Sequence, residues 1–243
     1  MRYLIFISLI MIFPDVSFKD AQLKNSRVKV AYQEKESIVK NYFKTKNLNY
    51  EGFQLFVRAF KKEENLEVWI KEKGKEQFIL LHTYSFCASS GTLGPKRKEG
   101  DLQIPEGIYY LNHFNPVSNF YLSLGVNYPN ASDKILSDKN HPGGDIYIHG
   151  NCVTVGCIPL TDDKIKELYI LAVEARNNGQ EKIPVHIFPD RLDEGVVEKL
   201  EKEYTSPKAT TNFWKSLQPI YQDFEVTRKL KVVRVDEKGK YYQ

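Results

Sequence analysis

The sequence predicts a β-rich α+β fold, and three observations carry that prediction. Residues 53–84 hold consecutive apolar runs separated by short polar turns, as in an antiparallel sheet. A run at residues 145–148, alternating apolar and polar like a strand, leads into His149, and helical periodicity begins near Thr161. Residues 183–188 then read as a further strand. At 243 residues the chain can bury a real core, as one domain with decorations or as two small ones.

In chain order, Arg2 precedes an apolar run over residues 4–13. That run has the length of a signal-peptide core and is too short to span a bilayer comfortably. A buried terminal strand or helix is the other reading, but no turn or cap follows to fold the run into a core. Ile38, Val39, Tyr42 and Phe43 lie at helical spacing and predict a short amphipathic helix over residues 34–45. Strands follow at 53–60, 66–70 and 78–84, the last two joined by a turn at Gly74. Residues 87–105 are rich in Ser, Gly, Lys and Pro and form a long loop. Strands at 107–111 and 120–124 flank a turn at Asn115-Pro116. A second long loop, 128–144, precedes the strand that carries His149, and long loops in compact domains are usually functional or mobile. Thr161 or Asp162 caps the next helix, Ile165, Leu168, Ala172 and Ala175 form its apolar stripe, and Gly179 ends it. After Pro189 the composition changes to a charged helix over 192–204, a short docking helix around Phe213, Trp214 and Leu217, and a terminal hairpin around Lys238-Gly239. The 35 basic and 31 acidic residues nearly cancel, so charge gives no pointer to nucleic acid.

The chemistry concentrates in nine residues, His149-Gly150-Asn151-Cys152-Val153-Thr154-Val155-Gly156-Cys157. We read this stretch as the active site of a cysteine enzyme. A nucleophilic cysteine needs a lowered pKa or a nearby base. Cys157 sits just before the predicted helix, whose N-terminal dipole favours negative charge. A loop of seven residues can bring the His149 imidazole back to the sulfur as its base. Gly156 permits close approach of a substrate, and the N–H groups of Gly156 and Cys157 could hold an oxyanion. No carboxylate adjoins His149, so the Gly150 carbonyl is the candidate to fix its tautomer. Two other readings stay open. His149, Cys152 and Cys157 could be three metal ligands, although no CxxC pair or fourth ligand stands nearby. They could also be buried structural cysteines with a satisfied histidine. Three cysteines are an odd number, which in an exported protein leaves one thiol free. Cys152 could pair with Cys87 and leave Cys157 free; otherwise Cys87 is a small buried apolar residue.

The stretch Ile148-His149-Gly150 with Thr154-Val155-Gly156-Cys157 resembles the catalytic motif of the YkuD-type L,D-transpeptidases, and most closely their YafK-like branch. The resemblance extends to Ser90-Gly91-Thr92-Leu93-Gly94-Pro95-Lys96, to residues 100–110 and 122–131, to Gly179-Gln180 with residues 185–189, and to residues 212–225. It implies a mixed β-sandwich catalytic domain with a helix after the cysteine, a C-terminal helix and hairpin extension, and a role in bacterial cell-wall peptidoglycan. It also implies Cys157 as nucleophile, His149 as base, Gly150 as orienting carbonyl and Thr154 in the Ser/Thr position. The implied reaction is attack on the peptide bond after the diamino acid of a stem peptide. An amine then resolves the thioester into a crosslink or an attached protein, or water resolves it by cleavage. The wider family usually has Ser-His-Gly-Cys followed by an arginine. Val155 stands in place of that histidine here, and Pro159 in place of the arginine.

The expected organisation is therefore a signal peptide or anchor at 1–20, a helical lead-in at 21–50, the catalytic domain at 51–190 and an extension at 191–243 packing on it. Lys96, Asp101, Asn151, Thr154 and Tyr121 are candidates for contact with substrate; solvated loop charges and core aromatics are the alternatives. The expected location is periplasmic or secreted, in the cell envelope. The expected partners are peptidoglycan stem peptides and proteins linked to peptidoglycan, without nucleic acid, and no cofactor is called for. A protein that detaches others from peptidoglycan, or a non-catalytic wall-binding module, is the rival expectation.

Overall fold

The computed structural model describes residues 16–243, so the apolar run at 4–13 lies outside the described residues. Eight strands form one hydrogen-bonded sheet: β1 (Gln54–Phe60), β2 (Asn65–Lys71), β3 (Ile79–Ser85), β4 (Gly107–Asn115), β5 (Ser123–Val126), β6 (Tyr147–His149), β7 (Ile158–Pro159) and β8 (Ile183–Phe188). Their order is β3-β2-β1-β8-β4-β5-β6-β7. β1 with β8 and β6 with β7 run parallel; the other neighbours are antiparallel, which makes the sheet mixed. A separate two-stranded hairpin, β9 (Arg234–Val235) with β10 (Tyr241–Tyr242), closes the chain.

Helices cover both faces of this sheet, which explains why β1 is buried at every position after Gln54 and is apolar throughout except at Arg58. On one face lies α4 (Asp162–Asn177), backed by α2 (Ser26–Thr45); Leu168, Ala172, Val28 and Val39 share a core there with Val57, Val68 and Val185. On the other face α6 (Lys208–Thr227) and α5 (Val196–Tyr204) bring Trp214, Leu217 and Leu200 against Phe60 and Phe188. Two buried cations tie this layer down. Arg58 pairs with Glu67 and with Glu225 of α6, among the rings of Phe60, Trp69, Tyr221 and Phe224. Lys61 pairs with Glu106 (3.0 Å) and donates to Gly94 O and Ile104 O. Glu106 also accepts from the Trp214 indole and from Gly94 N. Each buried charge is thus partnered, and the 87–105 loop is fastened to the sheet and to α6 beside the site.

Differences from the sequence reading have local causes. α2 begins at Ser26, eight residues before the expected helix, because Asn25 caps it by accepting from Arg27 N. A short α1 (Phe18–Leu23) precedes it. Loop 128–144 contains a helix, α3 (Ala131–Leu136), held by a reciprocal cap between Asn130 and Asp133 rather than by apolar periodicity. β5 starts at Ser123 rather than 120, because Tyr121 adopts a positive φ of 70° in the preceding turn. α6 runs for 20 residues and passes through Pro219, so the expected short docking helix is a long one. No helix among the described residues is long and apolar enough to cross a membrane.

Candidate active site

The alternation of short strands places the two reactive side chains. Ile148 of β6 and Ile158 of β7 are partners in register, and both are fully buried in the core below α4. Their neighbours His149, the last residue of β6, and Cys157, the residue just before β7, therefore lie toward the opposite face, offset by two positions. Cys157 comes to lie beside Tyr147, whose amide donates to its sulfur (3.4 Å). The thiol in turn donates to Asp145 O (3.6 Å), not to the imidazole. His149 is almost wholly buried, its Nδ1 lies 2.6 Å from Gly150 O, and the Phe120 ring packs against it at a 33° tilt with centroids 4.6 Å apart. A nitrogen facing a carbonyl at that distance carries the proton, which leaves Nε2 as the basic nitrogen.

Burial dominates both groups electrostatically. It holds His149 below the ordinary histidine pKa, with the Gly150 carbonyl acting in the other direction. It pushes the Cys157 thiol up, opposed by the Tyr147 amide and, more weakly, by the Lys96 ammonium. The resting pair is therefore neutral. The expected helix-dipole stabilisation of a thiolate is corrected here: β7 intervenes, and α4 begins only at Asp162 with Thr161 as its cap.

The seven-residue loop between them is pinned along its length. Asn151, at φ 63°, donates its amide to Asp162 Oδ1 (2.9 Å). Cys152 is joined to Cys87 by a disulfide with Cα atoms 5.3 Å apart, and Cys157 is free. The disulfide removes Cys152 as a thiolate, so the trio of metal ligands does not form. Thr154 Oγ1 accepts from Cys157 N (3.0 Å) and donates to Cys157 O (2.8 Å). Gly156, at φ 88°, lies so close to Gln103 O that a Cβ there would stand 3.0 Å from it. Its amide donates to Ser90 Oγ (2.8 Å). Both N–H groups expected to form an oxyanion hole are thus engaged by hydroxyls.

Lys96 and Asp101 are brought together with each other. Lys96 is 6% exposed and binds Asp101 Oδ1 (2.8 Å) and Lys98 O. Asp101 also accepts from the amides of Arg97, Lys98 and Gln103. Burial would raise its pKa, but these donors hold it below the usual carboxylate value. The two residues shape the wall of the 87–105 loop. Tyr121 and Asn151 line a groove of about 640 Å³ with Arg27, Asn119, Cys152, Asp162 and Asp163; neither His149 nor Cys157 lines it. Arg27 donates to Ser118 O and Tyr121 O, so α2 reaches the rim of the site. Ser90, Phe120 and Arg27 were not among the candidates; each lies far from the motif in sequence, and no spacing rule points to it.

Residues 56–187 match the YkuD family of L,D-transpeptidase catalytic domains. An Escherichia coli (strain K12) protein bearing the provisional name L,D-transpeptidase YafK is 34% identical over 186 residues, 76% of this chain and 72% of that protein. Among solved structures, the helical cell shape determining protein Pgp2 from Campylobacter jejuni is 17% identical with a TM-score of 0.45, over 87% of this chain and 82% of that one. L,D-transpeptidase 1 of Mycobacterium tuberculosis is 17% identical with a TM-score of 0.31, over 56% of this chain and 62% of that one.

Proposed function

The chain belongs to the L,D-transpeptidase catalytic-domain family, and from that premise we propose that it is a cysteine acyltransferase acting on peptidoglycan stem peptides in the cell envelope. Cys157 is the nucleophile and His149 its base. The observation that carries this reading is the His149 Nδ1 contact with Gly150 O (2.6 Å), which leaves Nε2 as the basic nitrogen across a seven-residue loop from the free thiol. His149 takes the thiol proton as the sulfur attacks the carbonyl carbon of the diamino acid. It then returns that proton to the leaving amine as the C–N bond breaks, leaving a thioester. An amine resolves the thioester into a crosslink or an attached protein, and water resolves it into a cleaved product. Because both groups rest neutral, the step is base-assisted rather than the reaction of a preformed thiolate. The groove lined by Tyr121, Asn151 and Arg27 is the place proposed for a peptide arm of the substrate. Export through the N-terminal segment fits the disulfide, which persists only in an oxidising compartment.

Mass spectrometry of the protein incubated with muropeptides, beside Cys157→Ala, tests the reading. The expected result is a covalent adduct on the wild type and none on the variant, with the released products distinguishing transfer from hydrolysis. Neither adduct nor product with tetrapeptide, crosslinked and protein-linked substrates would overturn it in favour of a non-catalytic wall-binding module.

A further inference from the structure

The two hydroxyls that engage the loop amides are not equivalent. A hydroxyl has one proton to donate and two lone pairs. The Thr154 hydroxyl accepts from Cys157 N and directs its proton to Cys157 O, so its donor is occupied. The Ser90 hydroxyl accepts from Gly156 N at 2.8 Å, and among the described residues nothing accepts its proton. Accepting a hydrogen bond polarises the O–H and makes it a better donor. Ser90 is half-buried in the loop that follows β3. Three residues earlier, Cys87 is bonded to Cys152 and donates its amide to Pro159 O (3.1 Å). One residue later, Gly91 turns at φ 72° against Leu102 O and Gln103. Consecutive amide nitrogens lie at most about 3.6 Å apart, so the hydroxyl oxygen is no more than about 6.4 Å from Cys157 N.

Resting on the reading of Cys157 as nucleophile, we propose that the Ser90 hydroxyl is the side-chain donor that stabilises the oxyanion formed when Cys157 attacks its substrate. The Sγ–C bond forms, the carbonyl π pair moves onto oxygen, and Ser90 donates a hydrogen bond to that oxygen while keeping its proton. When the oxyanion collapses, the C–N bond breaks and the amine leaves with the proton held by His149. The Gly156 amide then acts through Ser90, by polarising it, instead of meeting the oxyanion itself. A donor aimed at developing charge in a site of low dielectric is worth far more than the same group in water.

The test compares kcat and KM of the wild type, Ser90→Ala and Ser90→Thr on a stem tetrapeptide, with the alkylation rate of Cys157 by iodoacetamide at one fixed pH as a second readout. Alkylation creates no oxyanion, so it reports only whether the loop and thiol are intact. The expected result for Ser90→Ala is a kcat lower by about 10²–10³-fold, with KM and the alkylation rate nearly unchanged. Ser90→Thr, which keeps the hydroxyl, recovers most of the lost rate. A kcat for Ser90→Ala within about threefold of wild type overturns the proposal. So does a parallel loss of alkylation, which would make Ser90 a brace for the loop. Retained activity in Cys157→Ala would instead remove the nucleophile reading beneath it.

Discussion

Gly150→Ala isolates the brace on the base. A Cβ at residue 150 would stand 2.7 Å from Asp162 Oδ1, 2.9 Å from Phe120 O and 3.0 Å from Ile165 Cγ2. Comfortable contact begins near ~3.5 Å, so about 0.5–0.8 Å of relief is needed. The surroundings give little. Asp162 holds the Asn151 amide, Phe120 O is backbone in the segment whose ring packs against His149, and Ile165 is fully buried. The easiest movement is that of the residue 150 peptide itself, whose carbonyl orients His149. Displacing a base by that much lowers kcat about 10- to 100-fold, equivalent to about 1.4–2.7 kcal/mol of barrier. The crowding costs about 1–3 kcal/mol of stability. Steady-state turnover of a stem tetrapeptide, with thermal melting in parallel, reads both effects. A variant that melts lower yet turns over within about twofold of wild type would refute the claim that this carbonyl positions the base.

Three further predictions follow from the same geometry. The Cys87–Cys152 bridge spans 65 residues; chain entropy assigns such a closure about 4 kcal/mol, so Cys87→Ser with Cys152→Ser lowers Tm by about 10 °C. An unchanged melt in a non-reducing buffer would show the bridge contributes nothing. The Cys157 thiol is pushed up by burial, so iodoacetamide alkylation of the resting protein is slow at neutral pH and rises with a midpoint above the ordinary thiol value. A midpoint near pH 6 would reveal a thiolate–imidazolium pair instead. Burial and the neighbouring Arg58 hold His186 down to about 3 from an ordinary 6.5. The unfolded chain therefore takes up a proton that the folded one refuses. Stability from this group is complete above pH 6.5 and falls as pH drops toward 3, by about 3 kcal/mol at two pH units below the ordinary value. Melting at pH 7.5 and 4.5 beside His186→Phe checks it, since the variant should lose less on acidification; equal losses would count against His186.

Local pattern carried much of this protein. Apolar runs between turn residues placed β1 to β4 within a residue or two at most of their ends, apart from the last residues of β4. A Thr cap and an apolar stripe placed α4, because short-range sterics and periodicity act between neighbours in sequence. The nine-residue motif placed His149, Gly150 and Cys157 within one turn of chain, so their proximity could be read from spacing. α3 was missed because a side-chain cap, not a stripe of apolar residues, holds it.

Everything that depends on strand order was invisible until the chain folded. β8 inserts between β1 and β4, although 123 residues of sequence separate Phe60 from Ile183, and no local rule selects that neighbour. Long-range contacts likewise bring Phe120 onto His149 and Ser90 onto Gly156, whereas the odd cysteine count already offers Cys87 as the partner of Cys152. Long-range contacts also set the charge state of the site. A cysteine near a helix reads as a candidate thiolate, but the half-buried thiol stands just ahead of a short strand that separates it from α4, and desolvation pushes its pKa up. Reactive residue types come from local sequence; their protonation and their partners come from which distant surfaces exclude water around them.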